Sequence, residues 1–151
     1  MRKKHPRPTR YADDYTFNNL VSADVLTVHD INGVPYHLLN IICEGTCFQV
    51  VAYLGSGVGL PSAARVLRTF ASTWSSWAGL PQKLWTDRGK EFMGAFAKHL
   101  SDHGVETAAA ALESPWQNGR CERHGGIWKD MFMKVCMDSQ LTGPDDVLRR
   151  S

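Results

Sequence analysis

The order of hydrophobic segments predicts an α/β fold: a mixed five-stranded sheet, three antiparallel strands followed by strands alternating with helices, with helices packed on its faces. Three observations carry the prediction. Strand-length apolar runs joined by short turn sequences fill residues 19–54. Beyond residue 60 the apolar period changes to three or four, the helical one. The composition, 43% hydrophobic and 21% charged over 151 residues, is that of one globular domain able to bury a core without disulfides or structural metal.

Residues 1–10 (MRKKHPRPTR) hold five basic residues, no acid and two prolines, and read as a basic linker or tail. Residues 11–151 hold 12 of the 17 basic residues and all 15 acidic ones, so the net charge of +2 belongs to the tail and not to the domain. The runs at 19–30 (NLVSADVLTVHD), 36–43 (YHLLNIIC) and 47–54 (CFQVVAYL) are separated by Asn32 and Gly33 and by Glu44, Gly45 and Thr46. Strands joined by such short turns predict an antiparallel meander. A helix is predicted over 61–77. Pro61 suits its first turn, Ala64, Leu67, Phe70 and Trp74 form its buried stripe, and Gly79 follows its end. KLWT at 83–86 is a fourth strand ending at Asp87. A second helix over 92–103 aligns Phe92, Phe96 and Leu100 and stops at Gly104. VETAAAA at 105–111 supplies the fifth strand, and 114–119 is loop. A third helix over 120–137 buries Cys121, Trp128, Phe132 and Val135, and Gly143 and Pro144 precede another helix from Asp145. No apolar run approaches the roughly 20 residues of a membrane span, and no apolar segment of a secretory signal follows the charged start. The four sparse cysteines read as reduced thiols of an intracellular protein.

Three carboxylates stand out by position. Asp24 interrupts an apolar strand, Asp87 sits where a short strand ends, and Glu122 lies early in the third helix. A carboxylate inside a strand costs several kcal/mol to bury unless it is paired, hydrogen-bonded or metal-bound. Taken singly, each also fits an ordinary place: the exposed face of an edge strand, a turn, a solvated helix.

Their surroundings change the reading. Trp85-Thr-Asp-Arg-Gly-Lys-Glu-Phe92 and Ser114-Pro-Trp-Gln-Asn-Gly-Arg-Cys-Glu-Arg123, in that order, resemble the catalytic core of retroviral and LTR-retrotransposon integrases. Those enzymes end a strand in a Thr-Asp-x-Gly-x-Glu-Phe pattern. They open a helix in Pro-x-x-Asn-Gly-x-x-Glu-Arg. The likeness spans residues 17–140, and Asp24 precedes Asp87 by 63 residues. Between Asp87 and Glu122 lie 34 residues, one fewer than is usual in the family. A loop absorbs such a deletion. Inside the helix it would turn Glu122 by about 100°.

The resemblance implies a ribonuclease H-like fold, with an integrase-like core over 11–151 truncated at its C-terminus. It implies DNA integration, that is, 3′-end processing and strand transfer of retroelement DNA by a DDE-type polynucleotidyl transferase. Asp24, Asp87 and Glu122 would be the catalytic and metal-holding triad, with two Mg²⁺ or Mn²⁺ ions in the active complex. Hard oxygen donors suit such ions, which clamp the attacking and leaving oxygens of a phosphodiester. Gln117 and Asn118 in the loop, and Arg120, Arg123 and Lys129 on the helix, would contact DNA. The partners implied are element ends, target DNA and further copies of the chain, as a homodimer or higher oligomer and not a membrane. The compartment would be the nucleus for an active eukaryotic element.

Other readings stay open. A domesticated or decayed core would bind nucleic acid or protein without cutting. A ribonuclease H would carry a metal-holding Glu on its first helix, and residues 61–79 contain no acid. His99 and His103, four apart, and Cys121 and Cys136 do not match the spacing of a structural zinc site. Cys43 and Cys47 read as buried thiols flanking a hairpin, Trp74, Trp77 and Trp85 as core, and Trp116 as a loop ring able to stack on a base. Glu91 reads as an acid placed at a helix N-terminus.

Overall fold

The computed structural model describes residues 16–87, 89–109 and 119–139, with the backbone alone at 108–109, 119–122 and 139. The basic tail, the loop at 114–118 with Trp116, and the helix expected from Asp145 lie outside the described residues.

Strands β1 (Leu20–His29), β2 (Pro35–Cys43) and β3 (Gln49–Ser56) form the antiparallel meander. β4 (Lys83–Thr86) runs parallel to β1, and β5 (Glu106–Ala109) parallel to β4. The order β3-β2-β1-β4-β5 makes β1 the central strand, so Asp24 is not on an edge. The β1–β2 turn is tied by the buried Asp30. Its Oδ1 accepts the backbone N–H groups of Asn32 and Val34 at 2.9 and 3.0 Å, and its Oδ2 accepts the Tyr36 hydroxyl at 3.0 Å.

Side chains alternate across the sheet and sort into two cores. On one face Val21, Ala23, Leu39, Ile41, Leu54 and Leu84 meet the first two helices. On the other, Leu26, Val28, Tyr36 and Leu38 meet the last helix through Phe132 and Cys136. The molecule is thus three layers, helix–sheet–helix.

Helix α1 (Ala63–Phe70) starts at Ser62, whose hydroxyl accepts the Arg65 N–H. It continues through one π-helical turn (Ala71–Ser75) into a last α-turn (Ser76–Ala78). Hydroxyls loosen this stretch by bonding back to the backbone: Thr73 Oγ1 donates to Thr69 O at 2.6 Å and Ser76 Oγ to Ser72 O at 2.8 Å. Its buried stripe is Val66, Phe70 and Trp74, with Leu67 partly buried and Ala64 exposed. The expected stripe was therefore one step out at its start. A spacing of four drifts around an α-helix, and the wider π turn cancels that drift for Trp74. Trp77, expected in the core, is 54% exposed.

The second helix is shorter than expected. A 3₁₀ turn (Lys90–Phe92) precedes helix α2 (Ala95–Asp102), and the break falls at Gly94, whose φ of 61° is costly for other residues. Phe92, Phe96 and Leu100 are buried as expected. Helix α3 (Gly119–Ser139) buries Phe132, half-buries Trp128, and buries Cys136 in place of the expected Val135. Steps of four keep Trp128, Phe132 and Cys136 on the sheet, while Val135 falls to the flank. β3 begins at Gln49 and not at Cys47, which is exposed with a φ of 62° in the preceding turn. No helix among the described residues is long and apolar enough to cross a membrane.

Candidate active site

β1 and β4 share a constant register: Leu20 pairs with Lys83 and Ala23 with Thr86, an offset of 63 residues. The separation of Asp24 and Asp87 is the same. The pairing ends one residue before each acid: Asp24 follows Ala23, and Asp87 follows Thr86, its register partner. Asp24 is half-buried, and Asp87 is exposed just past the end of β4. Asp87 Oδ1 accepts the Gly89 N–H at 3.0 Å, which closes the turn after the strand.

Asp24 shares the parity of Leu26 and Val28, so it belongs to the face that α3 covers. Gly125 brings the helix against that face. A Cβ added there would stand 3.1 Å from Leu26 Cδ2 and 3.4 Å from Asn40 Nδ2, and Asn40 is the register partner of Asp24. The Glu122 position lies in α3 one turn before Gly125, on the same side of the helix and toward the Asp24 end of β1. Helix α3 thus docks on the sheet face to which Asp24 belongs.

The Glu122 and Arg120 side chains, and Gln117 and Asn118 altogether, lie outside the described residues. Arg123 is exposed, and Lys129, one turn beyond Gly125, is half-buried. Among the described residues no group of three His, Cys, Asp or Glu side chains converges.

Polar neighbours extend the site along the sheet. The buried Ser22 hydroxyl donates to Glu44 Oε1 at 2.6 Å. Gln49 Nε2 donates to Asn40 Oδ1 at 2.7 Å. The sequence reading passed over Asn40, although one amide inside the apolar run YHLLNIIC was a visible signal. Glu91, expected at a helix N-terminus, lies in the first turn of the 3₁₀ helix and is buried there; its carboxylate lies 2.5–2.7 Å from where a Gly89 Cβ would stand, and its Oε2 has no hydrogen-bond partner among the described residues.

Among the described residues the cysteines and histidines form no shared centre. His99 and His103 stack at 4.2 Å on the α1–α2 side, whereas Cys136 is buried on the α3 side of the sheet. The Cys136 thiol is pushed up by burial and then by the Asp30 charge. Burial also raises the Cys43 thiol, but hydrogen bonds from the Thr46 side chain and the Asn18, Thr46 and Gly45 backbone outweigh it, leaving a net lowering.

No family model matches the sequence, and no curated protein matches it significantly. Solved structures do. The catalytic core domain of HTLV-2 integrase, in complex with magnesium and in a dimeric form, superposes with a TM-score of 0.67 at 18% identity, over 89% of this chain and 83% of that one. A chain of the simian T-cell lymphotropic virus intasome in complex with the PP2A regulatory subunit B56 gamma gives 0.69 at 17% identity, over 90% of this chain and 47% of that one. The catalytic core of BIV integrase gives 0.60 at 12% identity, over 85% and 76%. This chain has the fold of a retroviral integrase catalytic core. It spans about half of the intasome chain it matches and most of the isolated cores. The ribonuclease H-like sheet expected from the sequence is therefore the one observed.

Proposed function

We propose that this chain is the catalytic core of a DDE-type integrase, a polynucleotidyl transferase that processes the 3′ ends of retroelement DNA and joins them to target DNA. The observation that supports this best is that the β1–β4 register has the same 63-residue offset as Asp24 and Asp87, while the helix that contains Glu122 packs on the sheet face to which Asp24 belongs. Two carboxylates placed together repel, and divalent cations relieve that repulsion.

Asp24, Asp87 and Glu122 would hold two Mg²⁺ or Mn²⁺ ions, an all-oxygen donor set suited to hard cations. Ions so held lower the cost of charge building on the phosphate and on the leaving oxygen. The chain itself supplies position. β1 would hold Asp24, the end of β4 would present Asp87, and α3 would bring Glu122 to them. Arg123 and Lys129 on α3 would bind backbone phosphates, together with Arg120, Gln117 and Asn118. No protein nucleophile is required. The oxygen of water attacks a phosphodiester and releases a 3′-hydroxyl. That hydroxyl then attacks a target phosphodiester and displaces the target's own 3′-oxygen. Assembly as a dimer or larger complex on DNA fits this chemistry, because two element ends must be joined.

A labelled short DNA duplex incubated with the chain and Mn²⁺ tests the reading. Cleaved and joined products are expected, reduced by more than about a hundredfold in Asp24→Asn and Asp87→Asn proteins of unchanged melting temperature. Equal inertness of all three, with DNA binding retained, would replace catalysis by a binding role.

A further inference from the structure

We propose that Asn40 is a positioning residue for Asp24: its carboxamide, oriented by Gln49, donates an N–H to the Asp24 carboxylate and holds that side chain at the site. This deepens the integrase reading and rests on it for the role of Asp24.

Asn40 is 0% exposed in a strand whose neighbours at the same depth are Leu39, Ile41 and Ile42. A buried amide is costly unless both its ends are bonded. The acceptor end is accounted for, since Asn40 Oδ1 receives Gln49 Nε2 at 2.7 Å. Gln49 pairs with Ile42, and Asn40 with Val51, so Gln49 is the diagonal neighbour of Asn40 on the same face. The oxygen therefore faces β3. The carboxamide is planar, with its nitrogen across from its oxygen, so the donor end faces the other way, toward β1 and α3. The Gly125 geometry agrees, because Nδ2 lies 3.4 Å from where a Cβ of that glycine would stand.

On β1 the residue directly opposite Asn40 is Asp24. Directly opposed residues of an antiparallel pair present side chains to the same face, with Cβ atoms about 4.5–5.5 Å apart. That is the reach of one hydrogen bond between an amide and a carboxylate. Gln49, Asn40 and Asp24 thus form a polar rail across β3, β2 and β1, beneath α3. Gly125 leaves room for it, where a larger residue would press on the Asn40 amide. The rail ties one Asp24 oxygen and leaves the other to face Asp87. A metal-holding carboxylate fixed in this way loses less freedom on binding.

The test uses the whole chain, with Mn²⁺ as the probe. Asn40→Leu keeps the volume and removes the donor; Gln49→Met keeps Asn40 and releases its orientation. Where the wild type binds Mn²⁺, Asn40→Leu should weaken binding by about 10–100-fold, and Gln49→Met by less, at melting temperatures that show both folded. Independently of metal, the side-chain amide protons of Asn40 should exchange slowly and should shift in an Asp24→Ala protein. A folded Asn40→Leu protein with wild-type Mn²⁺ affinity overturns the proposal; if that variant does not fold, wild-type affinity in Gln49→Met does so. A wild type that does not bind Mn²⁺ overturns the integrase reading instead. The Asn40 amide then decides the rail by itself, and resonances insensitive to Asp24→Ala refute it.

Discussion

Replacing Gly125 by valine tests how α3 is seated on the sheet. A Cβ at this position would lie 3.1 and 3.5 Å from the two methyls of Leu26, and Leu26 is 3% exposed. Carbon atoms prefer about 3.5–4.0 Å, so a single methyl already overlaps by a few tenths of an ångström. Alanine gains about 1 kcal/mol of helix propensity over glycine, which offsets crowding of similar size, so Gly125→Ala should be close to neutral. Valine adds two methyls to the same contact, at a crowding cost of about 1–3 kcal/mol with only a small propensity gain. The expected net loss is about 2 kcal/mol. Gly126 is the control. Nothing lies within 4 Å of its Cβ position, so Gly126→Ala should stabilise by up to about 1 kcal/mol. Urea unfolding followed by tryptophan fluorescence measures each difference from the midpoint at common slope. If Gly125→Val proves as stable as Gly126→Ala, α3 does not press on the sheet at this residue, and the docking of α3 on the Asp24 face described above is refuted.

Two further outcomes follow from buried polar groups. The Tyr36 hydroxyl is pushed up to about 12, by burial first and then by its bond to Asp30. Folding therefore favours the protonated phenol. That contribution, about 3 kcal/mol at most, is fully present below pH 10 and is lost as pH rises toward 12. Tyr36→Phe should lose about 2 kcal/mol at neutral pH, where the buried Asp30 carboxylate loses one of its hydrogen bonds, and should show a flatter decline between pH 10 and 12 in urea melts. At the turn after β4, Gly89→Ala drives its methyl into the Glu91 carboxylate and should cost about 1–3 kcal/mol. In a Glu91→Ala background the same change should cost almost nothing, and additive losses in that double-mutant cycle would refute the contact.

The sequence by itself determined the element order, the antiparallel meander and the candidate acids, because alternation and turn chemistry are local. Motif spacing also ranked Asp24, Asp87 and Glu122 above the other 12 acidic residues. The exact buried stripes were not local. Val66 and Cys136 took the places expected of Ala64 and Val135, because both buried stripes follow four-residue steps, Val66 to Phe70 to Trp74 with a π turn after α1 keeping Trp74 in line, and Trp128 to Phe132 to Cys136 on α3. The break at Gly94 was visible as a glycine but not as a helix boundary. Trp77 shows the limit of composition, since a tryptophan near a core stripe can still face outward. That the 63-residue gap equals a strand register follows only from the parallel pairing of β1 with β4, and the place of Asn40 opposite Asp24 only from the pairing of β1 with β2. Both depend on residues far apart in the chain, and long-range pairing is decided by how the strands close into one sheet and how α3 packs on it.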